Sequence, residues 1–146
     1  MLEPLGKLVL RVAAGGFLLP HGLGKLVGCF GGPGLDGFAL ELRHFGVPGG
    51  LGTAVALASI QTVSGGLVLA GLATRPAAVA AAGFLLTTTW LARPNGWFWM
   101  QQGMEYPLLW ALAMSSVALL GPGSLSLDRA WEEHRNEGVR RHGDAA

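Results

Sequence analysis

At 146 residues the chain is long enough for one compact domain and too short for two. Half of it is apolar and only 13% is charged, against roughly 25% in a soluble domain. A net charge of +1 offers no field for nucleic acid, and one cysteine, Cys29, excludes an internal disulfide and a cysteine-pair metal site.

The charge is unevenly spread. Gly46 to Thr74 carries no Asp, Glu, Lys or Arg, nor does Pro76 to Ala92, whereas the stretch from Asp128 onward is dense in both signs. A bilayer imposes such layering, because it forbids charge at one depth and tolerates it outside. The expected fold class is all-α: a four-helix transmembrane bundle with a long first loop and a polar C-terminal tail. Residues 1–126 form the bundle and 127–146 a charged cytoplasmic tail.

The first span runs from about Leu5 to Val27. Lys7 and Arg11 before an apolar stretch resemble a secretory signal, but no small-x-small cleavage site follows, so the segment is read as a retained helix. The loop Gly28 to Gly50 sets Phe38, Leu40, Leu42 and Phe45 beside Glu41, Arg43 and His44. That pattern predicts a short amphipathic helix on the membrane surface, or a loop packed over the bundle end. The second span runs from about Leu51 to Leu72 and the third from about Pro76 to Leu91. The turn Ala73 to Pro76 is so short that these two must be antiparallel neighbours. Trp97 and Trp99, in the next loop, are the expected anchors at a membrane–water interface. The fourth span runs from about Tyr106 to Leu120 and stops at Gly121-Pro122-Gly123, and the tail from Leu127 to about Val139 reads as a solvated helix.

Orientation follows the basic residues. With both termini cytoplasmic, Lys7, Arg11, Arg75, Arg129, Arg135, Arg140 and Arg141 lie inside, and Lys25, Arg43 and Arg93 outside.

Polar groups within spans need partners. At about 100° per residue, Lys7, Arg11, His21 and Lys25 share an arc of about 80° on the first helix, so the stripe faces the bundle or a wet cavity. The alternative has Lys7 and Lys25 reaching opposite interfaces. Arg11, Gln61 and Arg75 are read as buried structural polar groups, with Gln61 a hydrogen-bonding link between helices. Glu105 opens the fourth span, where it can cap the helix. It also shares the depth of His21 and Lys25, so the three form a candidate polar pocket at the outer face. No metal, haem or flavin motif is visible.

An ordered series of short motifs is similar to the DoxX family of bacterial membrane proteins. It comprises Leu10-Arg11, His21-Gly22, Lys25-Leu26, Gly37-Phe38, Gly46-Val47-Pro48, the run Gly65 to Leu72 with Thr74-Arg75, then Glu105, and Gly121 to Gly123 through Ser126-Leu127-Asp128. The resemblance covers about Leu8 to Asp128. It implies a four-helix bundle in the bacterial inner membrane and a place in membrane redox physiology, since members are similar to subunits of a thiosulfate:quinone oxidoreductase and others associate with oxidative-stress proteins. Members often carry a glutamate where this chain has Gln61, which cannot ionise and so takes no part in proton handling. Two functions compete: a redox-associated, quinone-linked membrane subunit, and a non-enzymatic accessory or assembly subunit that packs small-residue faces (Gly15, Gly16, Gly22, Gly24 and the Ala-rich third span) against a larger complex. A small transporter is a weaker third. The expected partners are the bilayer and other membrane subunits or a second copy.

Overall fold

The computed structural model describes residues 2–48 and 50–143. It holds six α-helices, α1 (Leu2–Val27), α2 (Gly34–His44), α3 (Leu51–Ala70), α4 (Thr74–Ala92), α5 (Glu105–Leu120) and α6 (Leu127–Gly143), with no strand among the described residues. Residues 144–146 of the predicted tail and the side chains of Arg140 and Arg141 lie outside what is described.

The four apolar helices pack in the ring α1–α3–α4–α5, with α5 returning to α1. The α1–α3 contact is antiparallel and nearly backbone to backbone. A Cβ at Gly15 would lie 2.6 Å from the Leu69 nitrogen, and one at Gly22 would lie 2.7 Å from the Thr62 nitrogen. Pro20 sits inside α1 without ending it. It withholds the N–H that the Gly16 carbonyl would otherwise accept.

The core is made of small residues. Ten of the seventeen buried hydrophobics are alanines, among them Ala14, Ala58, Ala78, Ala81 and Ala111. The large apolar side chains point outward: Val9 and Phe17 on α1, Ile60 and Val63 on α3, Val79 and Leu86 on α4, Leu109 and Leu112 on α5 are all exposed. A water-soluble bundle does the reverse, because burying large side chains is its main stabilising term. Where the surround is itself apolar, close helix approach through small residues carries the packing instead.

Length and composition pass the test for crossing a membrane in one helix, α3. The expectation of four spans is therefore met by this criterion at α3 alone. The reasons are local: α1 carries Lys7, Arg11 and Lys25, α4 carries Arg75 and the run Thr87 to Thr89, and α5 has 16 residues. Sixteen residues cover about 24 Å, short of the roughly 30 Å hydrocarbon layer.

The segment Gly28 to Gly50 contains the predicted amphipathic helix as α2. It buries Phe38, Ala39 and Leu42 over Ala54 and Ala58 of α3, and leaves Leu40 and Glu41 exposed. It is thus packed onto the bundle end.

The opposite end is tied by two long-range contacts. Arg11, only 4% exposed, donates from Nη1 to the Pro122 carbonyl at 2.8 Å and from Nη2 to the Leu125 carbonyl at 2.5 Å. Gly71, whose φ of 71° makes it the left-handed cap of α3, lies against the guanidinium, and a Cβ there would collide with it. Beside it, Asp128 receives the Ala73 N–H at 2.7 Å, the Thr74 N–H at 2.9 Å and the Thr74 hydroxyl at 2.8 Å. Ala73 is at φ 46°, strained for a residue with a Cβ, and has no side chain with which to cap α4. Asp128 supplies that cap from 54 residues away.

This carboxylate makes acid stability testable. Burial pushes the Asp128 carboxyl up, but the Thr74 and Ala73 donors and the Arg11 charge outweigh it, and the net direction is down. A lowered folded value means that the contribution is complete above the ordinary carboxylate range, near pH 4, and is lost as pH falls through the depressed value. The melting temperature of the wild type should fall on acidification below about pH 4. Asp128→Asn should melt lower at pH 7 and lose that acid-dependent component; two parallel melting curves would refute the assignment.

Candidate functional site

At the α2 end, a cavity of about 860 Å³ lies among α1, α2, α3, α4 and α5. Its walls are mainly apolar, including Phe38, Leu57, Ile60, Val79 and Phe84, of which Ile60 and Val79 are exposed. Gly83 faces it with no neighbour within 4 Å of a notional Cβ, which leaves the wall recessed.

Lys25 provides the polar end. Its Nζ donates to Oε1 of Gln61 at 3.3 Å and lies 4.5 Å from the centroid of the Phe38 ring and 5.5 Å from that of Phe84. No carboxylate forms an ion pair with it among the described residues; the three ion pairs found there are Lys7 with Glu3 and Arg129 with Glu132 and Glu133. An ammonium held by one neutral acceptor and two ring faces retains the capacity to donate to a ligand. Gln61, 4% exposed, therefore links α1 to α3 and aims Lys25. His21, one turn earlier on α1, is exposed and lines the same cavity.

A family model described as DoxX matches residues 6–94. The chain belongs to the DoxX family. It is accordingly a membrane-associated protein. No curated protein and no solved structure matches it. The DoxX match contains Arg11, His21, Lys25, Gln61 and Arg75, and ends before Trp97, Trp99 and Glu105.

Of the three residues expected to converge, His21 and Lys25 line one cavity and Glu105 does not. The Glu105 carboxylate turns back to accept the Trp99 N–H at 3.1 Å, and its own N–H donates to the Trp97 carbonyl at 3.0 Å. The physical reason is proximity: the turn before α5 presents the Trp99 N–H six residues away, whereas Lys25 already has Gln61. In this DoxX protein Glu105 therefore lies apart from His21 and Lys25. Glu41, exposed on α2, also lines the cavity.

Arg75 is also corrected. It is exposed, with its guanidinium over Gly121, and the buried polar residue of that turn is Thr74. The stripe on α1 is split between ends: Arg11 serves the terminal end, His21 and Lys25 the α2 end, and Lys7 pairs with Glu3 at 2.8 Å. Trp97 and Trp99 are half exposed, and Trp99 stacks on Tyr106 with centroids 5.5 Å apart. Among the described residues no cluster of His, Cys, Asp and Glu could hold a metal ion.

Proposed function

We propose that this chain is a four-span subunit of a redox complex in the bacterial inner membrane, and that its cleft takes a quinone head group. The observation that carries the reading is Lys25: an ammonium with no ion-paired carboxylate among the described residues, aimed by Gln61, at the end of an apolar cavity of about 860 Å³. A quinone needs donors for its carbonyl oxygens and an apolar berth for its ring and tail. Lys25 and His21 supply the first and the walls from Phe38 to Phe84 the second, with the tail leaving between Ile60 and Val79. Electrons would come from or go to a partner subunit, since no haem or flavin motif is present in the chain.

Four spans are supported by the outward-facing large apolar side chains of α1, α3, α4 and α5. Both termini are cytoplasmic in this reading, because Lys7, Arg11, Arg75 and the start of α6 gather at one end. Of the small residues on which an accessory-subunit reading rests, Gly15, Gly22 and Gly24 are occupied by contacts inside the chain, while Gly16 is open.

The test is a titration of the purified protein, in lipid nanodiscs, with a short-chain quinone, read by tryptophan quenching. One charged hydrogen bond contributes about 1.5–3 kcal/mol, so Lys25→Met should weaken binding by about tenfold or more. Lys25→Arg should retain part of it. Equal affinities in the wild type and Lys25→Met would reject the assignment.

A further inference from the structure

A second groove, of about 720 Å³, runs along the outer face of α1 and ends beneath the α1–α2 loop. Val12, Gly16 and Phe17 line one part of it, and Cys29 and Phe30, both exposed, line its mouth. Three residues border both this groove and the ligand cleft: His21, Lys25 and Glu41. Every residue shared by the two cavities is titratable, and every other wall residue belongs to one side only. The partition between an apolar cleft and an exposed groove is thus made of three groups that can bind and release protons.

We propose that His21, Lys25 and Glu41 form a proton route between the ligand cleft and the groove beside the α1–α2 loop. The inference rests on the reading that the cleft holds a quinone. Reduction of a quinone to a quinol takes up two electrons and two protons. The electrons come from a one-electron carrier of the partner complex, and the protons must cross from water to a site walled by Phe38, Leu57 and Phe84. Lys25 is the donor nearest the cleft's polar end, with Gln61 behind it. It can give up a proton from Nζ and regain one through His21 or the Glu41 carboxyl. Both of those are exposed and meet the groove. No direct hydrogen bond joins the three, so the transfers run through water, for which each cavity has room. The other titratable groups facing the two cavities are Tyr106 from α5 and Cys29 from the loop. Glu105 is absent from both walls.

The deciding experiment supplies electrons from an electrode, so that no partner is needed. Wild-type protein in nanodiscs, loaded with a short-chain quinone, is followed by redox-induced infrared difference spectroscopy in H2O and D2O. Reduction of the bound quinone should change the protonation of one carboxyl group, seen as a band that shifts in D2O. Glu41→Gln should abolish that band and leave the bound-quinone bands in place. His21→Ala should slow its deuterium exchange by about tenfold. Quinone bands without a carboxyl change in the wild type, or the same change in Glu41→Gln, would overturn the route while leaving the cleft reading intact. Absence of bound-quinone bands would overturn both. Glu41 lies on the exposed side of α2, so a melting temperature like that of the wild type is expected for Glu41→Gln and serves as the folding control.

Discussion

Arg11→Leu should destabilise the protein by about 3–5 kcal/mol and sharply reduce the yield of folded material. The guanidinium is almost fully buried and satisfies the carbonyls of Pro122 and Leu125 at the end of α5. Removing it leaves two partly buried acceptors without their charged donor and takes a charge away from Asp128. Each hydrogen bond to a charged group contributes about 1.5–3 kcal/mol, and loss of one partner from a buried ionic arrangement costs about 3–5 kcal/mol. Nε is buried without a partner, which partly offsets the gain from the other two nitrogens. Arg11→Lys can restore one of the two bonds and should fall between wild type and leucine. Chemical unfolding in mixed micelles measures the order. A leucine variant that unfolds with the wild type would mean that the loop is held by other contacts.

The second large effect concerns α1 against α3. Gly15→Ala and Gly22→Ala should each cost about 1–3 kcal/mol, because the added methyl meets backbone, which cannot rotate away as a side chain could. The nearest fixed atoms are the Leu69 nitrogen at 2.6 Å for Gly15 and the Thr62 nitrogen at 2.7 Å for Gly22. Gly16→Ala is the internal control. Its notional Cβ meets only the flexible Leu69 side chain, at 4.0 Å, so the substitution should be neutral or slightly stabilising through helix propensity. Melting temperatures of the three variants test the packing register directly. Equal shifts at positions 15 and 16 would show that the helices do not approach as described.

Much of the helical layout is legible in the chain. The charge-free stretches from Gly46 to Thr74 and from Pro76 to Ala92 bracket α3 and α4, and Gly121-Pro122-Gly123 stops α5 at Leu120. Helical periodicity also places Arg11, His21 and Lys25 on one face of α1. Periodicity gives depth and direction along one helix, however, and it does not say which distant loop arrives there. Arg11 meets Pro122 and Leu125 because of where α5 ends. Glu105 has the right depth for Lys25 but a nearer claim from the Trp99 N–H. Glu41 belongs to a surface helix in the sequence pattern, and only the docking of α2 onto α3 brings it to the cavity. One miss had a readable signal. Ala73 cannot cap α4, so the Thr74 N–H required a remote acceptor, and Asp128 heads the charged segment that returns to that end.

The cleft is most directly tested by covalent capture of what it holds. Wild-type protein in nanodiscs, labelled with a photoactivatable short-chain quinone and digested for mass spectrometry, should carry the label on peptides containing Lys25, Phe38 or Phe84. Unlabelled quinone in excess should suppress that signal, and Lys25→Met should reduce it by about tenfold. Label spread over the outward-facing residues Val9, Leu109 and Leu112, insensitive to competitor and to Lys25→Met, would contradict the account.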